Sequence, residues 1–459
     1  MSSQASAPSA VSPALLHPVL SLNPQSKRWI VAYSGGVDSH VLLLLCQRFL
    51  ASCKHPPELI ALHINHQLQD CADSWQRHCQ QQAEQLGVGF ISAKVAVDCG
   101  PRQSLEEQAR VARYRCFERQ LGADDVLLMG HHQDDQAETV MLRLLRGSGS
   151  KGLRAMREYR TIAAGVLHRP LLSISRQAIE TFAERECLAW VEDPSNQQQH
   201  FDRNYLRSTC LPAIEQRWPG YRQTLSRVAS LSAESWQLQK ELAALDFERF
   251  GWRPDQSSLP IDQIVTLSSA RQKNLLRYWL AQRNLPAPSA SQLEQVLSAV
   301  IGAAADAEPL VTWPGVEVRR FAGSLHSMPA LPDFDSSQCF AVNSTDSLFI
   351  EGVGQILFSR QLGEGIRCDQ GLTVCFRQGG ERIRPAGRSG SRSLKKLLQD
   401  LSIPTWWRNR LPLLKVDDVL VAVADKVIDQ AWLAGPEEQG LVISWQPDDK
   451  MANNTERAD

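Results

Sequence analysis

The chain has 459 residues, which is enough for about three domains at roughly 150 residues each. Hydrophobic residues make up 43% of it and charged residues 22%, a composition typical of a soluble globular protein, and no run approaches the ~18 apolar residues that span a membrane. The formal net charge of −1 gives no global indication of a nucleic-acid partner.

The termini and the cysteines indicate a cytoplasmic protein. No basic region followed by a long apolar run begins the chain, so we expect no signal peptide. The 11 cysteines include no C-x-x-C pair, which argues against a disulfide framework and a zinc site and fits a reducing compartment. We expect disorder over residues 1–27 and a polar tail over 448–459.

Residues 28–215 alternate between strand-like and helical patterns. The strand-like runs are apolar and short enough to be buried on both faces; they lie at residues 29–33, 59–64, 89–95 and 126–129. A helical pattern covers residues 104–121. This alternation predicts an α/β catalytic domain with a doubly wound parallel sheet, which binds ligands at the carboxyl ends of its strands.

A small-residue turn, SGGVDS, follows the first strand. It comprises Ser34, Gly35, Gly36, Val37, Asp38 and Ser39. Two glycines permit close approach of the backbone to a ligand, and the start of the next helix offers free N–H groups to an anion. The serines add hydroxyl donors, and Asp38 supplies a hard oxygen for Mg²⁺. The turn therefore predicts a phosphate-binding loop.

A second polar cluster, HHQDDQAET, follows the strand at 126–129. Asp135 and Glu138 lie three residues apart and share one helix face. Paired carboxylates near phosphates suit Mg²⁺, and His131 beside them could stabilise a phosphate or move a proton. The alternative is an acid-rich helix N-terminus, which accounts for the carboxylates but not for the histidines.

Two further sets of arginines admit two interpretations each. Arg110 and Arg113 lie on one face of the helix at 104–121. They either form a solvated rim beside the buried stripe of that helix or bind a ligand. Arg203 and Arg207 follow the segment DPSN; they either clamp phosphate in a bidentate manner or form salt bridges with the acids that precede them in the sequence.

The remainder of the chain predicts two smaller domains. Residues 216–335 read as helical, with a leucine stripe (Leu231, Leu238, Leu242 and Leu245) expected in the core. Residues 340–447 read as a small α+β domain with a hairpin at 413–423 that turns at Asp417 and Asp418. Ten Lys or Arg and only two acids lie between Arg377 and Lys415, a local net charge of +8.

The motifs resemble known enzymes. SGGVDS is the signature of the PP-loop ATP pyrophosphatases. Together with EEQARVARYRCF, HHQDDQAETVMLRLLRGSG, RPLL, DPSNQQQHFDRNYLR and RIRPAGRSGSRSLKKLLQDLSIPTWWRNRLPLL, it resembles the tRNA(Ile)-lysidine synthases from about residue 28 to 445. That resemblance implies a ligase that uses ATP to adenylate the wobble cytidine of tRNA(Ile) with a CAU anticodon. L-lysine then displaces AMP to form lysidine.

The resemblance also implies roles for individual residues. Ser34 to Ser39 would hold the pyrophosphate of ATP, and Asp38 and Asp135 would be linked to Mg²⁺. His131, Asp135 and Glu138 would line the reaction centre and the lysine site. Arg110 or Arg113, with Arg203 or Arg207, would bind ATP or the target nucleotide; which member of each pair does so stays open. The expected tRNA-contacting residues are Arg382, Arg384, Arg388, Arg392, Lys395, Lys396, Arg408 and Arg410.

Three other functions compete with this interpretation. A PP-loop tRNA sulfurtransferase would need catalytic cysteines or an iron–sulfur cluster, for which the cysteine spacing is wrong. An amide-forming ligase would need a glutaminase domain, and the sequence has no N-terminal nucleophilic cysteine or G-x-C-x-G segment that would indicate one. An RNA-binding protein without activity would not need Asp38, Asp135 and Glu138. Trp406 and Trp407 lie beside the basic stretch and admit two interpretations, stacking on exposed bases or filling the core of a small domain. A homodimer stays open.

Overall fold

The computed structural model describes residues 10–67, 72–95, 105–192, 202–304, 307–342, 347–367, 371–387 and 390–447. The chain divides into two compact units, one up to Leu238 and the other from Gln239 onward.

A six-stranded sheet forms the centre of the first unit, in the order β3-β2-β1-β4-β6-β5. All its pairings are parallel except that of β5 with β6. The strands are β1 (Arg28–Ala32), β2 (Glu58–Asn65), β3 (Gly89–Lys94), β4 (Asp125–Leu128), β5 (Tyr159–Ile162) and β6 (Gly165–His168). The four strands that the sequence predicts are confirmed to within one residue at each boundary. The central strands β1 and β4 are short apolar runs because they are buried, whereas the edge strand β3 has no fully buried residue.

Helices precede, connect and follow these strands. They are α1 (His17–Leu22), α2 (Val37–Ala51), α3 (Ala72–Gln85), α4 (Leu105–Gln120), α5 (Gln133–Leu145), α6 (Ser150–Leu153), α7 (Arg176–Arg185), α8 (Asp202–Tyr205), α9 (Leu211–Arg217) and α10 (Tyr221–Phe250). The expected disorder over residues 1–27 is wrong for the first helical segment, since Leu16 and Val19 are buried in the core against α2.

The strand order places two loops side by side. β1 and β4 are neighbours in the sheet. From β1 the chain continues outward through β2 and β3 on one side, and it then crosses back to add β4 on the opposite side of β1. Such a reversal opens a crevice at the carboxyl ends of the two strands. The SGGVDS loop follows β1 and the HHQDD segment follows β4, so the fold brings the two predicted clusters together.

The second unit begins with the end of α10. It contains the helices α11 (Ile261–Ile264), α12 (Ser269–Gln282) and α13 (Ala290–Gln295). It also contains a four-stranded sheet that the sequence did not predict, formed by β7 (Ser258–Pro260), β8 (Leu310–Trp313), β9 (Val316–Phe321) and β10 (Ser324–Met328). The leucine stripe of α10 is not core: its four side chains are 38–65% exposed. Ala229, Ala243 and Phe247 form the buried face of that helix instead.

The C-terminal part of the second unit is small and rich in strands. Two sheets form its core: β11 (Phe340–Val342), β14 (Leu372–Cys375), β17 (Leu413–Val416), β18 (Val419–Val423) and β19 (Val427–Ile428), and β12 (Leu348–Ile350), β13 (Gly354–Leu362) and β20 (Gln439–Gln446). The short pair β15 (Arg382–Ile383) and β16 (Arg392–Ser393) precedes α14 (Leu394–Asp400) and α15 (Thr405–Arg408). The hairpin of β17 and β18 is confirmed, with positive φ at both turn residues, Asp417 and Asp418.

Candidate active site

The SGGVDS loop forms a compact turn between β1 and α2. Gly35 has φ +84°, a conformation that favours glycine, and Gly36 is the N-cap of α2. The Ser39 hydroxyl donates to the Gly36 carbonyl at 3.0 Å and lies 3.1 Å from the Ser34 hydroxyl. These contacts fix the loop at the positive end of a buried helix, which is a geometry suited to phosphate.

Gly130, just after β4, allows the second cluster to approach this loop. A Cβ atom on Gly130 would lie only 3.0 Å from the backbone carbon and oxygen of Asp38. A larger residue at this position would push the end of β4 and the first turn of α2 apart by a few tenths of an ångström. The two residues that follow, His131 and His132, are held beside the loop as a consequence.

His132 lies between two carboxylates that are distant in sequence. Its Nε2 atom is 3.6 Å from Asp38 Oδ1 and 3.4 Å from Asp135 Oδ2, and the side chain is almost fully buried. Its backbone N–H donates to Asp135 Oδ2 at 3.1 Å, so the same carboxylate caps the start of α5. The sequence prediction named His131 and missed His132, whose position directly before the helix was the available signal.

The donor set at this point fits a hard cation. Asp38 Oδ1 is buried and has no hydrogen-bond partner among the described residues. Mg²⁺ takes oxygen ligands and is usually held by one or two carboxylates plus phosphates and water. Within the described ranges no group of three or more His, Cys, Asp or Glu side chains is arranged to hold a metal. Two carboxylates alone would leave most of the coordination shell to a bound phosphate.

Burial and neighbouring charges shift the pKa values of the two carboxylates in opposite directions. Burial raises the pKa of Asp38, and His132 and Arg176 oppose that shift only in part. Burial would also raise the pKa of Asp135, but His132 and Arg203 outweigh it and lower the pKa to about 2. Asp135 is therefore ionised at neutral pH, while the charged form of Asp38 is the one that a cation would stabilise.

Arg203 and Arg207 form salt bridges, but their partners among the described residues are the predicted catalytic acids Glu138 and Asp135 and not the acids that precede them in the sequence. Glu138, which is 1% exposed, accepts from Arg203 Nε at 2.6 Å and from Arg207 Nε at 2.6 Å. Arg203 also donates to Asp135 at 2.9 Å. Arg207 lies in a π-helical turn, Leu206–Cys210, a rare geometry that is frequent at functional sites. Asp135 and Glu138 thus share a face, as predicted, and use it to hold both arginines.

The two arginines of α4 occupy different surroundings. The charge of Arg113 contributes to lowering the pKa of two histidines at the strand ends, His66 to about 4 and His131 to about 3, in both cases after burial as the main cause. The guanidinium of Arg110 lies over the ring of Tyr114, 5.6 Å from its centre. Arg113 is therefore the member of the pair whose charge reaches His131 most directly.

One further acid supports the site and was not predicted as a functional residue. Asp134 accepts from the backbone N–H of Arg176 at 3.0 Å and from Arg222 Nε. Arg176 Nη1 in turn lies 3.9 Å from Asp38 Oδ2. Asp134 therefore ties α5 to α7 and α10 and places a cation beside the loop.

Some basic residues of the C-terminal part are exposed to solvent, and others form ion pairs or hydrogen bonds within the protein. Lys395 and Lys396 on α14 are exposed, as are Arg382 and Arg384. Arg382 also donates to the hydroxyl and the carbonyl of Ser391 at 3.2 and 3.1 Å. Arg392 is paired with Asp400 at 2.6 Å, and Arg408 donates to the Ile403 carbonyl at 2.9 Å. Arg388 lies outside the described residues.

Three residues of this part are core and not interface. Trp406 and Trp407 are 9% and 2% exposed, which decides between the two interpretations in favour of the core. Trp407 packs against Trp445 at 5.8 Å between ring centres. Arg410 is buried as well and donates to the Gly352 carbonyl at 3.1 Å, which removes it from the predicted phosphate contacts.

The fold and the loop define a class of enzyme. A parallel sheet with a SGGVDS turn at the start of a helix is the arrangement of PP-loop enzymes, which use ATP, and the family model "PP-loop domain" matches residues 12–214. The models "TilS substrate binding domain" and "TilS substrate C-terminal domain" match residues 259–326 and 372–445. No described helix is both long and apolar enough to cross a membrane.

Whole-chain relatives narrow the class to one family. The chain is 40% identical to a tRNA(Ile)-lysidine synthase of Coxiella burnetii, over 92% of this chain and 94% of that protein. It is 42% identical to one of Pseudomonas syringae, over 86% and 88%, and 39% identical to one of Alkalilimnicola ehrlichii, over 95% and 98%. The chain belongs to the tRNA(Ile)-lysidine synthase family.

Proposed function

We propose that this site carries out the reaction of the family, the ATP-dependent formation of lysidine on tRNA(Ile) with a CAU anticodon. The observation that carries the proposal is that Asp38 and Asp135 both approach the same nitrogen of His132, within 3.6 Å, at the end of the SGGVDS loop. A phosphate-binding loop and a pair of carboxylates thus meet at one crevice. The sulfurtransferase alternative is not favoured by the relatives.

The first step transfers adenylate to the tRNA. O2 of the wobble cytidine attacks the α-phosphorus of ATP, the bond between the α- and β-phosphates breaks, and pyrophosphate leaves. The backbone N–H groups at the start of α2 and the hydroxyls of Ser34 and Ser39 hold the phosphates. To reach the α-phosphorus the cytidine must leave its stack, at a cost of a few kcal/mol.

Asp38 and Asp135 would hold Mg²⁺ against the phosphates, since their oxygens suit it and Asp38 Oδ1 has no hydrogen-bond partner among the described residues. When bound, the ion neutralises charge that develops on the departing pyrophosphate. Arg203 and Arg207, fixed by Glu138, lie next to the same carboxylates and supply cations for the adenylate.

The second step replaces the adenylate with lysine. The ε-amine attacks C2 of the cytidine, the bond between C2 and O2 breaks, AMP departs with that oxygen, and the amine loses a proton. The carboxylates of Asp135 and Glu138 suit recognition of a cationic amino acid, which would share them with Arg203 and Arg207. The exposed Lys395 and Lys396 contribute phosphate contacts for the body of the tRNA.

The two half-reactions can be tested separately. With ATP, Mg²⁺ and a tRNA(Ile) transcript but no lysine, we expect pyrophosphate release and the label of [α-³²P]ATP on the tRNA. Adding lysine should discharge that label as AMP. Asp38→Asn should abolish pyrophosphate release while it leaves the fold intact, because the substitution removes a buried charge whose pKa burial raises. Pyrophosphate release without tRNA, or undiminished in Asp38→Asn, would contradict the assignment.

A further inference from the structure

Arg169 is a buried arginine outside the predicted site residues, just after β6. It is 4% exposed and donates from Nε to His131 Nδ1 at 3.1 Å. Its Nη1 donates to the Arg157 carbonyl at 2.7 Å, and its backbone N–H donates to the Glu158 carbonyl at 2.7 Å. The guanidinium is thus held at Nε and Nη1, with the Nε–H directed at a histidine of the site.

This contact determines where the proton of His131 resides. A guanidinium in a protein is always charged and has no acceptor atom, so Nδ1 of His131 must offer its lone pair. Which ring nitrogen carries the proton is set by the hydrogen bond that the other one makes. A neutral ring bonded in this way has its single proton on Nε2.

The surroundings of His131 keep the ring neutral. Burial lowers its pKa to about 3, and the charges of Arg169, Arg203 and Arg113 act in the same direction. Asp135 opposes the shift but does not reverse it. At neutral pH the ring is therefore uncharged, and the contact with Arg169 selects between its two tautomers.

We propose that Arg169 is a positioning residue that holds His131 as a neutral donor through Nε2–H. This inference rests on the proposed function, in which His131 lines the reaction centre. It decides between the two roles that the sequence left open: His131 donates a hydrogen bond to a phosphate or to the departing oxygen and does not accept a proton. A neutral imidazole donor of this kind is an established way to polarise an oxygen without a proton transfer.

The tautomer can be read directly in the full-length protein without ATP. Uniform ¹⁵N-histidine labelling and long-range ¹H–¹⁵N correlation spectra distinguish Nε2–H from Nδ1–H, and His131→Asn identifies the signal. We expect Nε2–H in the wild type. In Arg169→Met we expect a mixture of tautomers or the other tautomer. A wild-type ring protonated on Nδ1, or an unchanged pattern in Arg169→Met, would overturn the proposal.

Kinetics distinguish positioning from a merely structural role. Arg169→Met should lower kcat by about tenfold or more, with the KM for ATP within about twofold, because the loss of a ring-orienting partner typically costs about 10–100-fold. Arg169→Gln retains an N–H donor and should recover part of both the tautomer and kcat. It also serves as the test if Arg169→Met fails to fold.

A neighbouring arginine provides the control. Arg160 stacks on Tyr114, 5.3 Å from the ring centre, and donates to the Thr161 carbonyl. Arg160→Met should leave the His131 spectrum unchanged. If Arg169→Met shifts the tautomer but not kcat, the catalytic half of the inference fails. If His131→Asn also keeps full kcat, the role of His131 in the proposed function fails instead.

Discussion

The buried carboxylate of Glu138 should be the main attachment point for the arginines of the site. It is 1% exposed and engages Arg203 and Arg207 through three hydrogen bonds of 2.6, 2.6 and 3.0 Å. Glu138→Gln retains the shape of the side chain but removes its charge. The two guanidinium groups then lose the charge that compensates both of them.

The expected loss of stability follows from burial. Removing one partner of a buried ion pair costs about 3–5 kcal/mol, because the other charge stays buried without compensation. Here the arginine side chains are 26% and 34% exposed and Asp135 still bonds to Arg203, so solvent and a second acid offset part of the cost. We therefore expect about 2–3 kcal/mol.

Native-state hydrogen exchange of α5 is the appropriate assay, since it reports the free energy of local opening without assuming that the whole chain unfolds in one step. Asp124→Asn is a matched control, because Asp124 pairs with Lys27 at 2.7 Å on the surface and should contribute less than about 1 kcal/mol. The double variant Glu138→Gln with Arg207→Met should show a coupling of about 1–3 kcal/mol.

Equal effects of Glu138→Gln and Asp124→Asn on the opening of α5 would refute this reasoning. So would additivity of the Glu138 and Arg207 substitutions. Either result would mean that the carboxylate is not what holds the arginines in place, and that their position must come from the packing of the helix that carries them.

Three further predictions concern other parts of the chain. The pKa of Asp135 is lowered from 3.8 to about 2, so above about pH 4 its ionised form should add about 2 kcal/mol to the free energy of unfolding, a contribution that is lost as the pH falls to about 2. In Asp135→Asn the free energy of unfolding should therefore depend less on pH over this range. Replacing Lys395 and Lys396 with Gln should weaken tRNA binding and reduce its log–log salt slope by about two, with pyrophosphate chemistry retained; an unchanged slope would remove α14 from the interface. Gly130→Ala should raise the KM for ATP about tenfold or more, whereas Gly149→Ala, where a new Cβ has no atom within 4 Å, should not; equal KM values would contradict the close approach of β4 to the loop.

The sequence was most informative where a local pattern determines the structure. The first four strands of the catalytic sheet are apolar runs, and the SGGVDS turn carries its phosphate geometry within six residues; β5 and β6 were not predicted. The hairpin at Asp417 and Asp418 is set by its own turn residues in the same way. For these elements the physical cause lies within a short stretch of chain, so the sequence could predict them.

Contacts between distant segments could not be predicted in the same way. Arg203 lies 65 residues from Glu138, and a phosphate clamp and a salt bridge use the same side-chain chemistry. His132 directly precedes α5, but its approach to Asp38 depends on how the end of β4 packs against the first turn of α2, which the local sequence does not show. The leucines of α10 repeat at helical spacing, but periodicity reports an apolar face and not which side of the helix is covered.

The most direct test of the central claim is the nucleoside formed at position 34 of tRNA(Ile). The full-length protein should be incubated with ATP, Mg²⁺, labelled lysine and a transcript that carries the CAU anticodon, and the tRNA then digested for mass analysis. We predict labelled lysidine at position 34 only when all components are present, and none with Asp38→Asn. Unmodified cytidine at that position, or a sulfur-dependent product instead, would contradict the account.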